Sequence, residues 1–221
     1  MSRPFRVVYM GDSITFGQYV APSLRWTTLI DERLRAEFGG TTPIETFNRG
    51  VSGETTRLGL ERFPTDLQAF RPDLITLQFG MNDCNCWDSD EGLPRVSPAA
   101  FRANLTEMVE RARRFGAREV IMATNHRTLR KKHMPSGEEY EDANGRYNEI
   151  LREVAAEASC RLCDVHAVFD AMPRQQLVPL LLPAPDLLHL SGAGNHVYAD
   201  LMWPHLREGV VAALPATESA R

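Results

Sequence analysis

The sequence predicts an α/β fold built on a parallel, mostly doubly wound sheet with helices on both faces. Short apolar and β-branched runs alternate with amphipathic helical stretches, about five of each. The 221 residues suffice for one well-packed α/β domain and are short for two. With 43% hydrophobic and 24% charged residues, the composition is that of a globular protein. No internal repeat, low-complexity tract or linker interrupts the chain. The expectation is therefore one domain over 1–214, followed by a frayed tail at 215–221.

The first strand is the run Val7-Val8-Tyr9-Met10, which enters a sharp turn at Gly11-Asp12-Ser13. Ser23 is placed to cap a helix whose apolar face is Trp26, Leu29, Ile30, Leu34 and Phe38, with Gly39-Gly40 ending it. Residues 43–47 make a weaker strand, and 58–70 a helical segment interrupted at Pro64. The second clear strand is 73–79, closed by Gly80-Met81-Asn82-Asp83. A long polar loop at 84–96 follows, then Ser97-Pro98, the signature of a capped helix start. That helix carries Phe101, Leu105, Met108, Val109 and Ala112 on one face. Next come a strand at 119–123, a second long polar loop at 125–139 and a helix over 139–158. A last strand at 161–165, a proline-punctuated segment at 167–185 and a closing helix kinked near Pro204 complete the pattern.

The net charge of −4 supplies no basic field for nucleic acid. No apolar run approaches the roughly 18 residues of a membrane span. The first six residues are too short for a secretory signal, so the expected compartment is the cytoplasm. Cys84-Asn85-Cys86 lacks zinc-ligand spacing, and Cys160 and Cys163 straddle a strand entry. All four cysteines read as free, partly buried thiols, with no metal.

In doubly wound sheets ligands bind at the carboxyl ends of the strands. Ser13, Gly53, Asn82, the loop after Asn125 and the pair Asp186 and His189 all fall there. Acyl transfer needs these residue types. Ser13 is a candidate nucleophile, His189 a candidate base, and Asp186 can orient the imidazole if its segment makes one helical turn. The N–H groups of Ser13 and Gly53 and the Asn82 amide are candidate oxyanion donors. Each residue also has an ordinary use: a serine caps helices, a glycine permits turns, an asparagine makes Asx turns. Their coincidence in one order favours chemistry.

Gly11-Asp12-Ser13-Ile14-Thr15, the stretch 48–55, Gly80-Met81-Asn82-Asp83 and Asp186-Leu187-Leu188-His189 together resemble the four blocks of the SGNH hydrolases, also called the GDSL esterase/lipase family. The resemblance runs from the first strand to Ala199. It departs at Leu190, where many relatives carry proline. It implies a three-layer α/β/α flavodoxin-like fold with a five-stranded parallel sheet in the order 2-1-3-4-5, and a serine mechanism without metal or cofactor. The rival Gly-x-Ser-x-Gly elbow, a Walker A loop and a dinucleotide glycine fingerprint are absent.

The expected function is a serine esterase acting on small-molecule esters with short to medium acyl chains, O-acetyl groups on carbohydrates among them. An acyltransferase using the same residues and a non-catalytic small-ligand module are the alternatives. The loops 84–96 and 125–139 and the segment 177–185 are expected to form the rim. Asp12, Trp87 and His126 are the candidate substrate contacts, and His126 is also the rival base. The basic cluster Arg127, Arg130, Lys131 and Lys132 is either a solvated face or an attractor for an anionic substrate group.

Overall fold

Five strands pair in parallel in the computed structural model, which describes residues 3–214. They are Phe5–Gly11 (β1), Ile44–Gly50 (β2), Leu74–Gln78 (β3), Glu119–Ala123 (β4) and Arg161–Cys163 (β5), in the order β2-β1-β3-β4-β5. The expected tail at 215–221 lies outside the described residues.

Nine α-helices accompany the strands among the described residues: Ser13–Phe16 (α1), Trp26–Phe38 (α2), Thr56–Glu61 (α3), Phe63–Asp66 (α4), Pro98–Arg114 (α5), Tyr140–Glu157 (α6), Val165–Asp170 (α7), Arg174–Leu177 (α8) and Gly192–Ala213 (α9). α2 and α9 pack together on one face of the sheet, and α5 packs with α3 and α6 on the other. The result is a three-layer α/β/α fold. Every residue of β3 is buried, Thr76 and Gln78 included. A strand covered on both faces has no solvent side, which explains its lack of alternation.

Local signals placed some helix ends well. Ser97 Oγ accepts from the Ala100 N–H at 3.3 Å, with Pro98 in the first turn. The segment expected to break at Pro64 breaks instead at Arg62, between α3 and α4, and Pro64 occupies the first turn of α4. That is the one helical site where the missing N–H of proline costs nothing.

Ser23 does not cap α2. It lies in a short 3-10 turn, Pro22–Leu24, and the start of α2 has no local side-chain cap. The Trp26 N–H donates instead to Asn195 Oδ1 at 3.0 Å, from the first turns of α9. Asn195 Nδ2 donates in turn to the Ser191 carbonyl at 3.0 Å. One amide thus caps one helix while bracing the start of another. Asn195→Ala is expected to lower the unfolding free energy by about 1–2 kcal/mol in chemical denaturation, with Ser23→Ala near neutral.

A buried polar chain ties the carboxyl ends of the central strands together. Thr15 Oγ1 donates to Gln78 Oε1 at 3.0 Å, and Gln78 Nε2 donates to Asn125 Oδ1 at 2.7 Å. The Asn125 N–H reaches Asn148 Oδ1 on α6 at 2.8 Å, and Asn148 Nδ2 returns to the Asn125 carbonyl at 3.0 Å. In a low-dielectric interior such a fully paired network strongly resists displacement. It fixes the floor on which the polar residues above it stand.

Candidate active site

β1 ends against Asp12, whose Oδ1 accepts from the Ile14 N–H at 2.9 Å and so starts α1 at Ser13. Close packing holds this turn. At Gly50, at the end of β2, a Cβ would stand 2.2 Å from the Phe16 nitrogen. Ser13 Oγ lies 2.9 Å from His189 Nε2, and His189 Nδ1 lies 2.7 Å from Asp186 Oδ2. An ionised carboxylate only accepts hydrogen bonds, so Nδ1 carries the imidazole proton. The bare Nε2 then faces the Ser13 hydroxyl.

The segment bearing Asp186 and His189 does not make the helical turn on which the sequence made their pairing conditional. Leu187 takes φ +56°, in the left-handed region. Asp186 Oδ1 closes the turn by accepting from the Leu188 N–H at 2.9 Å and the His189 N–H at 2.6 Å. Carboxylate and ring still share one side, because the carboxylate itself spans the turn. Burial pushes the Asp186 carboxyl up, but donation from the His189 N–H, the His189 ring and the Leu188 N–H outweighs it and holds the group below the usual carboxylate range.

Two backbone donors belong to residues that line the same cavity, Ser13 and Gly53. Neither the Ser13 N–H nor the Gly53 N–H has an acceptor among the described residues. Gly53 adopts φ +78°, a conformation that suits glycine, and Arg95 Nη1 holds its carbonyl at 2.9 Å. Asn82 Nδ2 approaches Asp12 Oδ2 at 3.3 Å, which leaves its second amide hydrogen for the pocket. Ser13, Gly53, Asn82 and His189 line one cavity of about 330 Å³ with Gln18, Ser52, Met81, Asn85, Arg130, Tyr140 and Leu188.

Residues 9–197 match the model of the GDSL-like lipase/acylhydrolase family. The chain belongs to that family. An arylesterase of Vibrio mimicus is 30% identical over 117 residues, which is 53% of each chain. The chain thus spans about half the length of the curated relatives it matches. The solved lipase/acylhydrolase of Enterococcus faecalis superposes with a TM-score of 0.74 at 24% identity, over 92% of this chain and 96% of that one. An acetyl xylan esterase, AlAXEase, superposes with the same TM-score at 23% identity, over 91% and 100% of the two chains. At such identities the likeness is one of fold.

Not every expected contact reaches the pocket of this GDSL-like chain. Asp12 is fully buried beneath it, with one oxygen on Ile14 and the other near Asn82. His126 is also fully buried, bound to the Leu188 carbonyl and beyond reach of a substrate or of Ser13. Trp87 is half exposed but lies under the Arg95 guanidinium in a separate groove with Leu58 and Arg57. The 177–185 segment adds no pocket residue, and Leu180 and Leu181 are core. The basic cluster disperses: Arg127 pairs with Asp170, Arg130 donates to the Asp186 carbonyl, and Lys132 holds Asn85 Oδ1 at 2.7 Å.

Tyr19 also stands beside the His189 imidazole. Gly17 at φ +74° and Tyr19 at φ +66° fold the chain back, which sets the exposed Tyr19 ring edge-on to His189 at 5.2 Å. No local pattern marks it, and only the left-handed residues create the approach.

Burial is the chief cause that raises the Asp12 carboxyl, to about 7, with the nearby Asp83 and Glu54 charges adding to it against the Ile14 hydrogen bond. In the unfolded chain an aspartate titrates near 4. Between about pH 4 and pH 7 folded Asp12 keeps a proton that the unfolded chain has released, so its contribution to stability falls as pH rises. Asp83, raised by burial to about 6, works in the same direction. Asp12→Asn is therefore expected to flatten the loss of Tm across this window, measured by thermal unfolding at successive pH values.

Proposed function

We propose that this chain is a serine ester hydrolase that cleaves carboxylic esters through an acyl-enzyme on Ser13. The observation that carries the reading is the unbroken relay from Asp186 through His189 to Ser13, at 2.7 and 2.9 Å. In it His189 Nε2 takes the Ser13 proton as Oγ attacks the ester carbonyl carbon. The developing oxyanion is met by the Ser13 and Gly53 N–H groups and the Asn82 amide. Collapse breaks the bond to the alkoxy oxygen, which leaves as the alcohol with the proton from His189. Water, deprotonated by the same imidazole, then attacks the acyl carbonyl, and the carboxylic acid departs as Oγ regains its proton.

The cavity of about 330 Å³ is small, and its lining is mostly polar, with Met81 and Leu188 as its aliphatic members. That suits a short acyl group on a polar alcohol, with O-acetyl groups on carbohydrates a fitting class. Ester hydrolysis also agrees with the name of the Vibrio mimicus arylesterase. The test is a p-nitrophenyl ester series from acetyl to dodecanoyl. Turnover should be highest at the short end and fall as the chain outgrows the cavity. Absence of turnover throughout, with no fluorophosphonate adduct on Ser13, would overturn the reading.

A further inference from the structure

The segment that carries Asp186 and His189 belongs to no helix or strand, yet its backbone is held at every step. Three consecutive carbonyls, those of Asp186, Leu187 and Leu188, each accept a hydrogen bond from residues 126–130. Arg130 Nε donates to Asp186 at 3.1 Å, the Leu129 N–H to Leu187 at 2.9 Å, and His126 Nε2 to Leu188 at 2.8 Å. The next carbonyl, that of His189 itself, accepts from the Leu182 N–H at 2.8 Å.

The donor loop is in turn anchored to the start of α6. Glu141 accepts from the Thr128 N–H at 3.1 Å and from the Thr128 hydroxyl, and Asn144 Nδ2 donates to the His126 carbonyl at 3.2 Å. The His126 ring is wholly buried and packs beside Phe169 at 5.3 Å. A carbonyl accepts but cannot donate, so Nε2 bears the ring proton and Nδ1 is bare, without a partner among the described residues. Burial is the main cause that lowers this imidazole, to about 4. It therefore stays neutral where esters are hydrolysed, and its bond to Leu188 does not switch with pH.

We propose that His126 is a positioning residue for His189, its Nε2–H pinning the peptide bond that joins Leu188 to His189 and so aiming the imidazole at Ser13. The inference rests on the reading of His189 as the base. The orientation of that ring depends on a left-handed Leu187 and on one carboxylate, and of the peptide bonds around it the one entering His189 has its carbonyl held by His126. Without the His126 donor, the Leu188 carbonyl is left buried and unpaired, and the peptide can rotate to find another partner.

The test compares His126→Leu, of similar volume but without a donor, with His126→Gln, which restores an N–H near the Nε2 position. Per folded molecule, kcat of the leucine variant is expected to fall about 100-fold with KM little changed, since small misplacements of a catalytic group act on kcat. The glutamine variant should recover most of the loss. The NMR titration midpoint of His189 should move in the leucine variant and return in the glutamine one. Wild-type kcat and an unmoved His189 midpoint in the leucine variant would overturn the inference. So would equal losses in both variants that track only the fraction folded. If wild type and Ser13→Ala hydrolyse esters alike, the esterase reading itself fails. The His189 midpoint then decides alone, moved in support or unmoved against.

Discussion

Ser13→Ala is expected to lower kcat for p-nitrophenyl acetate by about 10⁶, the scale of removing the nucleophile from a serine hydrolase. The size of the effect follows from the geometry. Ser13 Oγ is the oxygen within 2.9 Å of His189 Nε2. Under the proposed mechanism, alanine removes the atom that would form the acyl bond and leaves the imidazole with no hydroxyl to activate. The donors around the oxyanion site remain, so a residual acceleration over water of about 10³–10⁴ should survive. Ser13 is 6% exposed and its hydroxyl makes its contact with His189, so folding should be little affected. The measurement is turnover beside a matched unfolding curve. Activity retained in a folded Ser13→Ala protein would remove the acyl-enzyme from consideration.

Asp186→Asn is expected to lower kcat by about 10⁴ while leaving the fold intact. Oδ1 accepts from two backbone N–H groups, of Leu188 and His189, and the amide oxygen can keep both. The amide NH₂ then occupies the Oδ2 place opposite His189 Nδ1. It donates where the carboxylate accepted, so the ring is driven to the tautomer with its proton on Nε2. That proton faces Ser13, and the base has no lone pair to offer. Asp186→Ala makes a useful contrast, because it also frees two N–H groups and should cost stability as well as turnover. An Asp186→Asn variant that keeps wild-type kcat would show that Asp186 serves only to close its turn.

Much of this molecule is legible in the chain because its signals are local. Apolar runs such as 119–123 form strands in any environment that covers both faces, and Ser97-Pro98 starts a helix with its own atoms. The residues brought together at Ser13, Gly53, Asn82, Asp186 and His189 stand immediately after strands or in short turns. A parallel α/β sheet delivers Ser13, Gly53 and Asn82 to one edge whatever the helices between them contain. Asp186 and His189 lie beyond the last strand and are placed by their own turn and by the loop at 126–130.

What the chain hides are pairings between residues far apart. Asn195 caps α2 across 169 positions, and His126 serves the Leu188 carbonyl across 62. Both bonds exist because folding buries a backbone group that has no local partner, and a buried N–H or C=O takes whatever side chain the packing presents. The same competition redirects Asp12 from substrate to backbone, and Asp186 from a helical turn to one it closes itself. The sequence by itself determined the order of strands and helices and the edge at which the reactive groups gather, since these depend on hydrophobic pattern and turn chemistry. Only the tertiary structure decided which histidine faces Ser13, because that depends on how two distant loops satisfy each other's buried carbonyls.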